Sequence, residues 1–236
     1  MTTRHPDRAP VCSVIVPARN EAARIAACVR AVRETSTRYP VEIIVVDGQS
    51  SDRTVHEALA ASAIVIASPV VGRGAQMHWG ARCAIGEVLV FLHADTVLPA
   101  AWQDCIAQPF FHDRVPPAAA AFRVAFDSDR PWYTLIAGLT NLRAAITRLP
   151  HGDQALVVPR RTYFAAGGFS PVPLMEEYLL LPKLKRLGRV ALLPASVTTS
   201  CRRYERRGPL VTAVHKAALI ALFYAGVSPH RLARWY

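Results

Sequence analysis

Residues 13–25 read SVIVPARNEAARI, a short apolar run that turns polar and then becomes helical. The run Ser13–Ala18 is rich in β-branched residues, as is typical of a strand buried on both faces of a parallel sheet. From Glu21 to Arg38, apolar residues recur at helical spacing, so the pattern predicts an amphipathic helix. One strand followed by one helix is the unit from which parallel sheets are built.

The same unit recurs through the first hundred residues. We predict strands at Val41–Val46, Ala63–Ala67 and Val88–His93, with helices at Ser51–Ala61 and within Gly72–Ala84. The second half is less regular. There we expect helices at 132–147 and 176–187, strands at 119–126, 154–159 and 190–193, and a helical tail from residue 206. The fold class is therefore α/β, with a Rossmann-like, mixed but mostly parallel sheet, helices on both faces and a C-terminal helical tail.

Composition narrows the class of protein. Hydrophobic residues make up 52% of the 236 residues and charged residues 19%, a balance typical of a folded domain. The net charge of +11 indicates an anionic partner. Because the sequence contains no zinc-finger spacing and no RNA-binding aromatic signature, we expect phosphorylated small molecules or anionic lipid rather than nucleic acid. Five dispersed cysteines and a polar N-terminus without an export signal predict reduced thiols and a cytoplasmic location.

Polar side chains follow each of the first four strands. Ligands of open α/β sheets bind beyond the carboxyl ends of the strands, so these residues should converge on one site. They are Arg19, Asn20 and Glu21 after the first strand, Asp47, Ser50 and Ser51 after the second, Arg73 and Gln76 after the third, and His93, Ala94 and Asp95 after the fourth.

Each of these residues also has a simpler structural interpretation. Asp47 either accepts hydrogen bonds from a nucleoside or makes a turn with Gly48, and Ser50 or Ser51 either contacts ligand or caps the next helix. Asp95 either holds Mg²⁺ or Mn²⁺, which prefer carboxylate oxygens, or caps a helix. His93 is either a second metal ligand or a packed neighbour.

Several stretches resemble the family 2 nucleotide-sugar glycosyltransferases, which have the GT-A fold. They are VIVPARNEAARI at 14–25, VVDGQSSDRT at 45–54 and FLHADT at 91–96. GRGAQMHWGA, GDQALVV, GGFSPVPLMEE, LKRLGRV and TTSCRRYERRG further resemble a small bacterial subgroup associated with radical-enzyme and selenium-related gene neighbourhoods. The resemblance covers nearly the whole chain and implies a flexible terminus at 1–10, a GT-A domain at 11–205 and an amphipathic tail at 206–236.

The resemblance also implies a role for individual residues. Pro17, Arg19, Asn20 and Glu21 would form the first nucleotide loop, Asp47 would contact uridine or a related nucleoside, and Arg73 would lie near the donor diphosphate. Asp95 matches the last residue of the metal-binding DxD motif, whose first position is His93 here. Glu176 and Glu177 match a Glu-Asp pair whose second member is the catalytic base. Further donor contacts are expected from Ser50, Gln76, Ala94, Arg202 and Arg203, and acceptor contacts from His78. Asp153 and Gln154, after Gly152, either line the acceptor pocket or end a strand.

The resulting hypothesis is an inverting, metal-assisted transfer from a nucleotide diphosphate sugar, with UDP as the expected nucleotide, to an unknown acceptor. Two alternatives stay open: a nucleotidyltransferase-like enzyme, and a catalytically weak module that binds a membrane surface or a partner. Simpler interpretations remain for Glu176 and Glu177, as negative charges at a helix N-terminus, and for Arg202 and Arg203, as a solvated basic stretch. The tail either lies on an anionic membrane, at the inner face, or docks on the domain or on a second subunit of a homodimer.

Overall fold

The first half of the chain alternates strands and helices, as its sequence predicts. The computed structural model describes residues 12–236, apart from the side chains of Arg203, Arg206 and Arg207. The flexible segment predicted at residues 1–10 lies outside the described residues. In chain order this half contains β1 (Cys12–Ala18), α1 (Ala22–Thr35), β2 (Val41–Asp47), α2 (Thr54–Ala60), β3 (Ile64–Ala67), α3 (Arg73–Cys83), β4 (Val88–Phe91) and the short β5 (Thr96–Val97).

The second half contains longer helices and the remaining strands. They are α4 (Trp102–Ala107) with a π-helical turn at Gln108–His112, β6 (Ala119–Phe126), α5 (Pro131–Thr147), a 3-10 turn at Gly152–Gln154, β7 (Leu156–Pro159), α6 (Arg160–Ala165), α7 (Glu176–Leu187), β8 (Val190–Thr199), α8 (Arg202–Arg207), α9 (Pro209–Tyr224) and α10 (Pro229–Leu232).

All eight strands join one sheet in the order β3-β2-β1-β4-β7-β6-β8-β5. The first four strands are parallel, so their carboxyl ends share one edge. Strand β7 runs antiparallel to both β4 and β6, and β6 runs parallel to β8. The mixed, mostly parallel sheet flanked by helices confirms the predicted fold class.

The sheet is buried on both faces because alternate residues of its strands enter two different cores. Val14 and Val16 of β1 pack with the apolar stripe of α1, whereas Ile15 packs with α3 and α7. The predicted stripe of α7 is confirmed, since Leu180, Leu181 and Leu184 are buried in this second core. Burial of this stripe fixes the direction in which the first turn of α7 points.

Three local predictions are wrong. The helix predicted from Ser51 begins at Thr54, whose backbone N–H is capped by Asp52 Oδ1 at 2.9 Å, so neither serine caps it. Gln154 lies in the 3-10 turn before β7 rather than in a strand. The strand predicted to end at Leu193 continues to Thr199, which allows it to pair with β5.

The C-terminal tail consists of two helices that pack on the domain. Leu219 of α9 and Leu232 of α10 are buried against Leu174, Met175 and Tyr178. The boundary predicted between residues 205 and 206 falls inside α8. Of the helices in residues 12–236, none has the length and apolar character needed to cross a bilayer.

Candidate active site

The loops after β1 and β2 are joined by hydrogen bonds into one surface. Asn20 donates its backbone N–H to Ser50 Oγ at 3.0 Å, and its side-chain oxygen accepts from the Ser51 N–H at 2.8 Å. Asn20 adopts a left-handed φ of 55°, a conformation that asparagine tolerates well. Pro17 and Glu21 of this surface are partly exposed and Arg19 is exposed, and their contacts with a nucleotide stay predictions.

Asp47 and Gln76 hold this surface together. Asp47 accepts hydrogen bonds from the backbone N–H groups of Gln49 at 3.1 Å and Ser50 at 3.2 Å, so the turn interpretation describes its contacts. Gln76 is buried and donates to the backbone carbonyls of Ala18 at 2.9 Å and Val46 at 2.8 Å. Gln76 therefore fixes the carboxyl ends of β1 and β2, and contacts of either side chain with a nucleotide stay predictions.

His93, Ala94 and Asp95 lie in the loop that joins β4 to β5. The Asp95 carbonyl accepts a hydrogen bond from the Ser200 N–H at 3.1 Å, directly after β8. Thr96, next to Asp95, pairs with Thr199 at the end of β8, and Arg202 begins α8 shortly after Thr199. This placement fits the prediction that Asp95 and Arg202 both lie near the donor, and that prediction stays untested. Arg203 follows in α8, and its side chain is outside the described residues.

Arg73 of α3 binds both carboxylates at the start of α7. Its Nε donates to Glu176 Oε1, and its Nη2 lies 3.4 Å from Glu177 Oε1. Gly74 permits this approach, because a Cβ there would lie 2.8 Å from the Ser170 carbonyl and 3.0 Å from Glu176 Cβ. The prediction for Arg73 named the donor diphosphate, and the structure adds that the guanidinium neutralises the paired glutamates.

Glu177 has the properties of a general base. Burial raises the pKa of Glu177 to about 7, against the lowering effect of Arg73, and the carboxylates of Glu176 and Asp153 add to the rise. A pKa near the working pH is the value at which a carboxylate is both ionised and basic enough to take a proton. Glu176 is fully buried and bonded to Arg73, which fits an orienting role.

The 3-10 turn at Gly152 packs directly on the Glu177 carboxylate. A Cβ on Gly152 would lie 2.1 Å from Glu177 Oε1 and 3.2 Å from His93 Cε1, so only glycine fits. The His93 ring therefore packs beside the turn and the base, which supports the packed-neighbour interpretation of His93. The turn thus lies between the loop that carries His93 and the Glu177 carboxylate.

Asp153, the next residue of the turn, is held ionised by cations. Its Oδ2 lies 3.6 Å from Lys216 Nζ of α9. Burial alone would raise the pKa of Asp153, but the nearby Lys216 ammonium holds that pKa well below its usual range. A carboxylate with so low a pKa is a poor proton acceptor, so Asp153 is suited to positioning rather than to base catalysis.

Two of the predicted acceptor residues have structural contacts instead. Gln154 is completely buried, donates to the Phe122 carbonyl at 3.0 Å and accepts from the His151 N–H at 2.9 Å. The ring of His78 lies 3.1 Å from the Tyr163 hydroxyl, on the side of α6. Of the three, Asp153 lines the cavity that reaches Glu177, and acceptor contacts of His78 and Gln154 stay predictions.

Sequence reasoning missed four residues around the base: His151, Gly152, Tyr178 and Lys216. The Tyr178 hydroxyl lies 2.8 Å from His151 Nδ1, which fixes the orientation of both rings beside the turn. Lys216 is the one Lys or Arg in the apolar helix Pro209–Tyr224, and an isolated charge in such a helix is the signal that could have identified it.

The described side chains do not build a complete metal cage. Within residues 12–236, no group of three or more His, Cys, Asp or Glu side chains is arranged to hold a metal ion. Mg²⁺ and Mn²⁺ sites that use substrate phosphates need only one or two protein carboxylates. The partly exposed Asp95 carboxylate fits that second kind of site.

Comparison with curated proteins finds glycosyltransferases. An uncharacterised glycosyltransferase of Rickettsia prowazekii is 33% identical over 98 residues, covering 42% of this chain and 32% of the relative. The 4,4'-diaponeurosporenoate glycosyltransferase of Staphylococcus haemolyticus is 33% identical over 93 residues, covering 36% of this chain and 24% of the relative. The chain thus spans about a third or less of the length of these relatives.

Solved structures share the fold. Glucosyl-3-phosphoglycerate synthase from Mycobacterium tuberculosis, in complex with Mn²⁺, UDP and glucosyl-3-phosphoglycerate, is similar with a TM-score of 0.60 and 20% identity, over 80% of this chain and 71% of that chain. A mannosyltransferase from Pyrobaculum calidifontis, in complex with GDP-Man and Mn²⁺, is similar with a TM-score of 0.60 and 24% identity, over 82% and 57%.

A protein family model matches most of the β-α core of this chain and the loops at the strand ends. Residues 13–175 match the family described as Glycosyl transferase family 2. That range contains the strand-end loops, Asp95 and the turn at Gly152, and ends one residue before the paired glutamates. The chain belongs to glycosyl transferase family 2.

Proposed function

We propose that this protein is an inverting glycosyltransferase that moves a sugar from a nucleotide diphosphate sugar, UDP-sugar first, to an acceptor hydroxyl. The observation that carries the proposal is Glu177: a buried carboxylate with a pKa near 7, placed between the strand-end loops and an adjoining cavity. The acceptor oxygen would attack the anomeric carbon on the side opposite the diphosphate. Its proton would pass to Glu177, and the nucleoside diphosphate would leave.

The donor would lie on the surface formed by the loops after β1 and β2. Asp47, Ser50 and the loop from Pro17 to Glu21 meet there, at the parallel strand ends where nucleotides bind in open α/β sheets. Arg202 and Arg203 would approach the diphosphate from α8. Fixing the donor in this way contributes to the rate by orientation, because the reacting carbon is then held in line with the acceptor.

Asp95 would hold Mg²⁺ or Mn²⁺ together with the diphosphate oxygens. When bound, such an ion offsets the negative charge that develops on the leaving diphosphate. The two similar structures are complexes of Mn²⁺ with UDP and with GDP-Man, which supports a metal for the same fold. His93 packs beside the turn at Gly152 and would support this loop.

A thermal-shift screen tests the proposal. UDP, GDP and their sugars would be added to the protein with and without Mn²⁺, and a ligand that binds the folded state should raise the melting temperature. We expect a UDP-sugar with Mn²⁺ to give the largest rise in melting temperature. We also expect the protein to release UDP slowly from that UDP-sugar. No shift with any nucleotide would contradict the proposal. Cleavage of a nucleoside triphosphate would favour the nucleotidyltransferase alternative, although PARNEA lacks the glycine-rich, lysine-bearing loop expected of that class.

We also propose that the chain works at an anionic membrane surface, on the inner face. Residues 206–236 contain no acidic residue but carry Arg206, Arg207, Lys216, Arg231 and Arg234. Exposed apolar side chains on α5 and α9 add a face that fits a lipid surface or a second copy of the chain in a homodimer. Membership of the subgroup with radical-enzyme and selenium-related neighbourhoods stays a prediction.

A further inference from the structure

A cavity of about 270 Å³ lies between β6, α5 and α9, beside the turn at Gly152. Most of its wall is apolar, with side chains from all three elements: Val124, Phe126, Ile136, Leu139, Ala213 and Ile220. Leu139 and Ala217 of the lining are exposed, so the cavity opens at the protein surface. Small-molecule sites are concave and mostly apolar, and this cavity is close to the lower end of their usual range of about 300–1,000 Å³.

The guanidinium of Arg143 lines this apolar cavity without a protein partner. Its Nε and Nη2 atoms are buried and make no hydrogen bond to any residue in the described part of the chain. Burying a charged donor without an acceptor is costly, so buried charges are normally paired. An unpaired, buried guanidinium in a cavity wall therefore points to a ligand that supplies an anion, for which Arg offers two parallel donors.

The other charged groups around the cavity do not supply that anion. Asp153 Oδ2 pairs with Lys216 Nζ at 3.6 Å, which leaves the Arg143 charge in excess. His151 adds no further charge, because burial, and after it Arg143, lowers the pKa of His151 to about 4. The cavity thus combines an apolar wall with one uncompensated positive charge.

The cavity leads to the proposed base. A smaller cavity of about 70 Å³ shares His151, Asp153, Lys216 and Ile220 with it and is lined at its other side by Glu177 and Arg73. The cavity beside Arg143 and the cavity beside the Glu177 carboxylate are therefore neighbours along the Gly152 turn.

We propose that the cavity between α5 and α9 is the acceptor site, and that the acceptor is an amphipathic anion. Its apolar body fills the cavity, its carboxylate or phosphate binds Arg143, and its hydroxyl reaches Glu177. This inference rests on the proposed function. It adds the chemical class of the acceptor, which the strand-end loops do not determine.

Calorimetric titration with soluble alkyl anions tests the site. Decanoate and decyl phosphate, each below its micelle concentration, are the probes, and they distinguish the two anionic groups. Decyltrimethylammonium has the same chain with the opposite charge, and acetate has the charge without the chain. We expect at least one decyl anion to bind at least about tenfold more tightly than either control, the scale of one charge-assisted hydrogen bond.

Two variants locate the binding. Arg143→Met keeps an apolar stem and should weaken binding of the decyl anion about tenfold or more, while Arg130→Met, an exposed cation just before α5, should not. Ala217→Trp would fill the cavity mouth, whereas Ala218→Trp, on the same helix and outside the lining, is its control. Melting temperatures of all four variants confirm that they fold.

The outcomes separate this inference from the proposed function. Equal affinity for the decyl anions and the decyl cation, or decyl-anion binding that survives both Arg143→Met and Ala217→Trp, overturns the acceptor site. UDP with Mn²⁺ is titrated into the same wild-type protein. If UDP binds and no decyl anion does, the acceptor inference fails alone; if a decyl anion binds and UDP does not, the proposed function fails.

Discussion

Replacing Glu177 by Gln removes the proposed base with little change in shape. Glu177 is buried, and its raised pKa of about 7 makes it a much stronger base than an ordinary carboxylate. Loss of a general base usually costs a factor of about 10²–10⁴, so we expect turnover to fall at least about a hundredfold. Donor affinity should be nearly unchanged, because the donor would bind on the other side of the reacting carbon.

The pH profile gives a second magnitude. A carboxylic acid with a pKa of about 7 is about one-tenth ionised at pH 6 and about nine-tenths ionised at pH 8, so the wild-type rate should rise about tenfold over that range. The Gln variant has no such group and should lose this rise. Release of UDP from the best UDP-sugar of the thermal-shift screen, with Mn²⁺, measures both effects.

Stability provides the control for folding. The pKa of Glu177 is higher in the folded protein than its ordinary value of 4.5, so the folded state binds the proton more tightly. The contribution of Glu177 to stability is therefore lost as pH rises from about 4.5 to about 7. At pH 8 the Gln variant should then melt no lower than the wild type.

Glu176→Gln is the matched variant, since Glu176 is equally buried but bonded to Arg73. Full activity in Glu177→Gln with loss in Glu176→Gln would reverse the assignment. Full activity in both would place the base elsewhere and refute the reasoning from burial.

Two further substitutions probe the surroundings of the base, and one assay probes the membrane proposal. Gly152→Ala would place a Cβ 2.1 Å from Glu177 Oε1, so turnover should fall about tenfold or more while UDP affinity is kept. Gly138→Ala, with open space around it, is the control. Equal turnover in the two variants would refute the contact. Arg73→Met would leave two buried carboxylates without their cation, which should lower the free energy of unfolding by about 3–5 kcal/mol in chemical denaturation. Arg53 is exposed, so Arg53→Met should change the free energy of unfolding little. A similar loss in both variants would contradict the buried pair. The protein should co-sediment more with anionic than with neutral vesicles, because each basic residue near an anionic surface contributes about 1 kcal/mol. High salt should reduce this difference. Equal sedimentation with both kinds of vesicle would refute the electrostatic part of the membrane proposal.

Local patterns were sufficient to predict the parallel strands in the first half of the chain and the polar loops that follow them. Strands β1, β2 and β4 are mainly apolar runs, and each parallel strand is followed closely by its own polar loop. The stripe of Leu180, Leu181 and Leu184 likewise placed Glu177 on the inner side of α7 before any tertiary contact was known. Periodicity carries this information because it depends only on neighbouring residues.

The surroundings of Glu177, by contrast, depend on contacts between distant residues. The ion pair of Arg73 with Glu176 joins residues 103 positions apart, and the two-residue strand β5 exists because it pairs with the end of β8. Gly152 lies against Glu177 because β7, which follows the Gly152 turn, pairs antiparallel with β4. Arg143 gave one weak signal, as the one Lys or Arg in the apolar helix α5, but its missing partner is visible only in the packed cavity.

The central claim is that Asp95 and the strand-end loops bind a nucleotide together with a divalent metal ion. Calorimetric titration of UDP with and without Mn²⁺, into wild type, Asp95→Asn and the exposed control Asp129→Asn, tests it most directly. We expect Mn²⁺ to raise UDP affinity about tenfold or more in the wild type and in Asp129→Asn, and not in Asp95→Asn. The same UDP affinity for wild type and Asp95→Asn in the presence of Mn²⁺ would contradict it.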